Sequence, residues 1–103
     1  MARILRREAA KRDLTRHFAY LGENASLDVA DRFLGAVRES LRELSMMPGI
    51  GIPGRVQQGK FSGVRLWPVR DFERYLIIYR PLPDGVIVER VIHAAQDYQR
   101  VLR

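Results

Sequence analysis

Residues 63–97 read GVRLWPVRDFERYLIIYRPLPDGVIVERVIHAAQD, and this stretch decides the fold. Residues 74–80 (RYLIIYR) form a continuous apolar run with charged ends, the pattern of a strand covered on both faces. Residues 86–93 (VIVERVIH) are a second β-branched run, and Pro81-Leu82-Pro83-Asp84-Gly85 between the two is turn chemistry. Proline fixes φ and cannot donate to a ladder, and the Asp-Gly pair is expected to supply the positive-φ position that closes a hairpin. Residues 64–69 (VRLWPV) predict a third strand, with Pro68 marking an edge or a bulge. The expected core is a three-stranded antiparallel meander from which arginines project.

Upstream, residues 2–6 (ARILR) predict a short first strand. From Glu8 the period changes. Ala10, Leu14, Phe18 and Leu21 fall at helical spacing, with Lys11, Arg12, Asp13 and Arg16 on the other side, and Gly22 is expected to end this helix. Ser26 is a natural N-cap for a second helix, with Asp28 and Asp31 facing the positive end of its dipole. Its stripe is Ala30, Phe33, Leu34, Val37, Leu41 and Leu44, and it stops before Met47-Pro48-Gly49. Two such helices form an αα-hairpin whose apolar face requires a sheet. Residues 48–63 read as a Gly/Pro-rich loop carrying Arg55 and Lys60. Gly49, Gly51 and Gly54 do not make a phosphate loop, because no strand precedes them and no Lys-Ser/Thr opens a helix after them. Residues 96–103 supply a last helical turn or two. The predicted architecture is α+β, β-α-α-β-β-β with a short C-terminal helix, in one domain over residues 1–103.

Composition narrows the function. The chain has no cysteine, so disulfides, thiolate nucleophiles and Cys-ligated metals are excluded, which suits a reducing cytoplasm. No apolar run approaches a membrane span, and no signal peptide is visible. The net charge of +6, carried by 16 arginines and two lysines, favours an anionic partner, either nucleic acid or an acidic polypeptide.

Several residues could carry chemistry. His93 stands near Asp97 and Tyr98 at the end of the last strand, where it could act as an acid or base, or simply hydrogen-bond the backbone as strand turns into helix. His17 reads as a surface residue, and two separated histidines make no metal site. Arg65, Arg70, Arg74, Arg80 and Arg90 belong to strands or their ends, and alternation places Arg74 and Arg80 on one face. They could bind phosphates or acidic side chains, or pair with Asp71, Glu73, Asp84 and Glu89. Arg90 lies inside an apolar strand and needs a fixed partner. Trp67, Phe72, Tyr75 and Tyr79 interleave with these cations, as in a base-stacking face, although strand aromatics are more often core. Residue chemistry alone reaches a small basic α+β binding domain or an RNase-like protein.

The segments GVRLWPVRDFERYLIIYR and VERVIHAAQD resemble the C-terminal half of ParE-type toxins of the RelE/ParE superfamily. The matching residues are Gly63, Val64 and Arg65, Tyr75 through Arg80, Arg90 through His93, and Asp97. Asp13-Leu14, Ala30-Asp31-Arg32-Phe33 and the helix end at Met47-Pro48 fit upstream. The resemblance implies the fold read above, a cognate ParD-like antitoxin that wraps the toxin as a hetero-oligomer, a plasmid-stability role, and no cofactor. It implies poisoning of DNA gyrase by binding, with Arg65, Trp67, Arg74, Arg80, Arg90 and His93 as target- or partner-binding residues. The alternative within the superfamily is a RelE-like, ribosome-dependent mRNA endoribonuclease using Lys60, Arg65, His93 and Tyr98. The small-small-Arg-Asp ending usual in the superfamily is here Ala94-Ala95-Gln96-Asp97, and the missing cation counts against phosphoryl chemistry.

Overall fold

The meander forms as expected and gains a strand at each side. The computed structural model describes residues 2–102. β1 (Arg3–Arg6) leads into α1 (Glu8–Asn24) and α2 (Leu27–Met46). β2 (Ile52–Pro53), β3 (Arg65–Val69), β4 (Phe72–Leu82), β5 (Gly85–His93) and α3 (Ala94–Leu102) follow. The sheet order is β1-β5-β4-β3-β2, with β1 parallel to β5 and the other pairs antiparallel. The fold is α+β, with the helix pair followed by the antiparallel meander and a C-terminal helix, the order the resemblance implies.

Both faces of the sheet are covered, which is why the β4 run is apolar without alternation. Tyr75, Ile77 and Tyr79 face α1 and α2, meeting Ala10, Phe33, Val37, Leu41 and Leu44. Ile78 and Ile92 face the other way, against Phe61, Val64 and Leu102 from the 54–64 loop, the start of β3 and α3. Ile77 and Ile78, adjacent in sequence, are both fully buried. Ser26 caps α2 by accepting from the Val29 N–H at 3.1 Å, and Asp28 sits in the first turn. Pro68 coincides with a register shift against β4, the expected bulge, and lies beyond Arg65 and Leu66, the two residues of β3 that β2 pairs with.

The structure corrects several expectations. α1 runs through Gly22 to Asn24, because the chain turn is made at Ala25, whose N–H and that of Ser26 both return to the Leu21 carbonyl. β4 extends beyond residues 74–80 at both ends and includes Pro81, whose ring needs no ladder donor there. α3 starts at Ala94 and spans nine residues rather than a turn or two. The 48–63 loop contains β2. The β3–β4 connection is a second tight hairpin, Arg70-Asp71, with Asp71 at φ 67°, a left-handed position an aspartate tolerates better than most. Gly85 does not supply a positive φ; the turn is Pro83-Asp84, and Gly85 opens β5. Glycine is required there because a Cβ would overlap the Arg3 backbone.

Candidate functional site

β1 pairs with β5 only as far as Val88, where the Arg7 N–H makes the last bond at 2.9 Å. Beyond that point α1 takes over the β5 edge with side chains. Asp13 and His17, one helical turn apart, hold both backbone groups of Val91. The Val91 N–H donates to Asp13 Oδ2 at 3.0 Å, and His17 Nε2 donates to the Val91 carbonyl at 2.8 Å. A carbonyl only accepts, so Nε2 carries the proton. Arg90 closes the arrangement with two bonds to Asp13, 2.7 Å from Nε and 2.9 Å from Nη2. Asp13 is 1% exposed and His17 5%, so the expectation that Asp13 lies on the solvated side of α1 and His17 at the surface is overturned. An edge strand with unpaired backbone groups forces polar residues inward at that position.

Burial lowers the His17 pKa, outweighing the Val91 hydrogen bond that raises it; Arg16 lowers it further, against Asp13 and Asp97. A histidine held neutral makes stability depend on pH with a defined sign. The unfolded chain binds the proton more readily, so stability is fully present above the ordinary value of 6.5 and falls as pH drops below it. His17→Gln keeps a donor and removes the titration. Urea unfolding between pH 7.5 and 5 is expected to show a flatter stability profile for this variant than for the parent; parallel profiles would exclude the assignment.

The β5–α3 junction is a second polar knot. His93 N–H donates to Asp97 Oδ2 at 2.9 Å, and Gln96 N–H donates to His93 Nδ1 at 3.3 Å, a reciprocal cap at the start of α3. Burial pushes the Asp97 carboxyl up, but the His93 N–H, the Arg100 guanidinium at 2.6 Å and Arg16 together hold it below its usual value. Tyr75 stands between the two histidines, edge-on to His17 at 4.8 Å and to His93 at 5.1 Å.

The remaining cations do not converge. Arg65 donates to the Gly51 carbonyl at 2.6 Å and ties β3 to the loop before β2. Tyr79 locks the same loop, donating to the Pro48 carbonyl at 2.7 Å and accepting from the Gly51 N–H at 2.9 Å. Arg80 pairs with Glu89 at 3.1 Å and donates to the Ser62 and Lys60 carbonyls, pinning the 54–64 loop to the sheet. Glu89 is the extra residue of a β5 bulge, since Ile78 pairs with Arg90 and Tyr79 with Val88. Trp67 packs on the helix-side core rather than forming a stacking platform. Arg70 pairs with Glu43 at 3.6 Å. Arg74 has no carboxylate partner among the described residues and lines an open cavity of about 420 Å³ with Phe72 and Tyr75.

The four nuclease candidates are not gathered on one face. Arg65 pairs with Tyr79 and His93 with Tyr75, both on the helix side, whereas Tyr98 packs with Ile78 and Ile92 on the opposite side. Lys60 is exposed in the loop, its ammonium 5.3 Å from the Phe61 ring. Among the described residues no group of three or more potential metal ligands occurs, and no helix is long and apolar enough to cross a membrane. Asp13 and His17 were the residues missed; their spacing from Ala10 (i, i+3, i+7) was the available signal.

The fold has solved relatives. One is described as the chromosomal ParDE TA system from P. aeruginosa, with 16% identity over 90% of this chain and 96% of that chain and a TM-score of 0.70. At that identity the likeness is one of fold. A search of curated protein sequences returned no match. Residues 4–98 match the family described as the ParE toxin of type II toxin-antitoxin system, parDE. The chain belongs to the ParE toxin family of type II toxin-antitoxin systems.

Proposed function

We propose that this toxin acts in the cytoplasm by binding DNA gyrase and trapping its cleaved DNA, without catalysis of its own, and that a ParD-like antitoxin neutralises it. The family match over residues 4–98 carries this reading. The separation of Arg65 and His93 from Tyr98 on opposite faces supports binding over RNA cleavage, which needs an acid, a base and a cation around one phosphate. Arg65, Arg80 and Arg90 are engaged in internal bonds and shape the scaffold, as do Trp67 and His93. Arg74 is the strand arginine available for docking the target.

The antitoxin partner is supported by the outer side of the helix pair. Because α1 turns Ala10, Asp13 and His17 to the sheet, its stripe of larger side chains is left half-buried. Leu14, Thr15, Phe18 and Leu34 line an apolar groove of about 330 Å³ that suits the apolar face of a partner helix.

The test is purified toxin with gyrase, relaxed or supercoiled plasmid and ATP, followed by detergent and protease to reveal trapped double-strand breaks. Linear DNA is expected to rise with toxin dose, and Arg74→Glu, a surface change, is expected to reduce it at unchanged thermal stability. Absence of linear DNA with supercoiling unimpaired would reject gyrase as the target.

A further inference from the structure

We infer that β1 is a second partner-docking site, one that accepts an extended acidic segment as a sixth strand; this rests on the antitoxin reading and assigns the segment to that partner. β1 is an edge strand with one side unused. Arg3 and Arg7 donate their N–H groups to Asp84 and Val88 of the β5 side. Alternation along the strand therefore turns the N–H and C=O groups of Ile4 and Arg6 outward, where no backbone partner among the described residues meets them. Sheet edges are normally blunted by proline, a bulge or a covering loop, as β2 is by Pro53. β1 has no proline, and its pairing with β5 is in regular register.

The surroundings specify the occupant. A groove of about 600 Å³ runs along β1, with Leu5 and Ile87 on its apolar floor and Arg6, Arg7 and Lys11 outnumbering Glu8 at its rim. Leu5 is 41% exposed, a large apolar side chain left for a neighbour to cover. Arg6 has no carboxylate partner among the described residues, Lys11 holds a surface pair to Glu8 at 3.2 Å, and Arg7 reaches only to 3.4 Å from Glu89, a largely buried carboxylate that Arg80 holds more closely. The exposed Lys11–Glu8 pair contributes little, and the exposed Arg7 guanidinium is free to turn to a better-placed carboxylate. A second copy of this chain is disfavoured, because pairing two β1 edges would bring Arg3 and Arg6 of one against those of the other. An alternating acidic and apolar strand fits both the backbone and the charge: the carboxylates on one of its faces meet Arg6, and the apolar side chains on the other cover Leu5 and Ile87.

The probe is an acetylated, amidated seven-residue peptide alternating glutamate and valine, titrated into the full-length protein and followed by amide NMR and hydrogen exchange. Its binding is independent of gyrase, so failure here and failure of the gyrase reading are separate results. Saturation is expected to slow exchange of the Ile4 and Arg6 amides by at least about tenfold, as newly paired edge groups should. The lysine-valine counterpart is expected not to bind. Arg6→Pro removes an N–H that β5 does not use, so it should weaken binding by at least about tenfold with β1–β5 pairing intact. Arg6→Ala, which keeps the N–H, should lose less. No binding up to about 1 mM, unprotected Ile4 and Arg6 amides in the bound state, shifts confined to Leu14, Phe18 and Leu34, or unchanged affinity in Arg6→Pro would each overturn the inference.

Discussion

Asp13→Ala is expected to cost roughly 3–5 kcal/mol of folding stability, the range for removing one partner of a buried ion pair. The loss exceeds that of an ordinary surface aspartate because three donors depend on this carboxylate. Arg90 gives it two bonds and Val91 a third. Without it, a guanidinium only one-fifth exposed loses its counter-charge and the Val91 N–H stays buried and unpaired. Burial opposes the Arg90 charge, but the Asp13 hydrogen bonds are the larger influence and raise the Arg90 pKa. The double variant Asp13→Ala, Arg90→Met separates the contributions. It removes the stranded charge, so it is expected to be more stable than Asp13→Ala alone while remaining below the parent, since Val91 still lacks its acceptor. Urea unfolding of the four proteins in a double-mutant cycle measures this. A loss under about 1 kcal/mol for Asp13→Ala would mean that water, rather than the carboxylate, satisfies this edge.

Phe33→Ala is the second large effect, at roughly 3–5 kcal/mol. Phe33 is fully buried where α1, α2 and β4 meet. Its ring is edge-on to Phe72 at 5.4 Å and to His17 at 6.0 Å, and tilted against Tyr75 at 4.8 Å. The cavity left by alanine cannot collapse readily, because its walls are strand and helix backbones rather than loop. Phe33→Leu keeps most of the volume and is expected to cost less than half as much. Equal losses for the two variants would show that aromatic contacts, not packing volume, dominate the site. Because Phe33 touches His17, its removal is also expected to couple to the pH profile, flattening it as water reaches the imidazole.

These two residues illustrate what was readable from the chain. Phe33 belongs to the α2 stripe, and that stripe predicted its burial because α2 packs apolar side chains on a sheet and nothing else. The three-strand meander was legible for the same reason: strands covered on both faces must be apolar throughout. The Pro68 bulge and the Ser26 cap were legible because each depends on one residue's backbone or hydroxyl chemistry and its immediate neighbours. Asp13 and His17 were not. Periodicity assigns polar residues to water, and it fails where a helix lies along a strand edge and must answer backbone donors and acceptors with side chains. β2 escaped notice because two residues carry no period, and Gly85 was misread because its need for glycine comes from Arg3, 82 positions away.

The functional residues divide the same way. Sequence by itself determined the family-level pattern, the basic charge, the absence of thiol chemistry and the cluster of strand arginines, all of which are local or additive properties. Tertiary structure decided how those arginines are used. It set Arg90 on Asp13, Arg80 on Glu89 and the loop carbonyls, and Arg65 on Gly51, leaving Arg74 and Arg6 open. It also placed Tyr98 across the sheet from Arg65 and His93. A charge acts according to what lies within a few ångströms of it, and for these side chains those neighbours come from elements far apart in the chain.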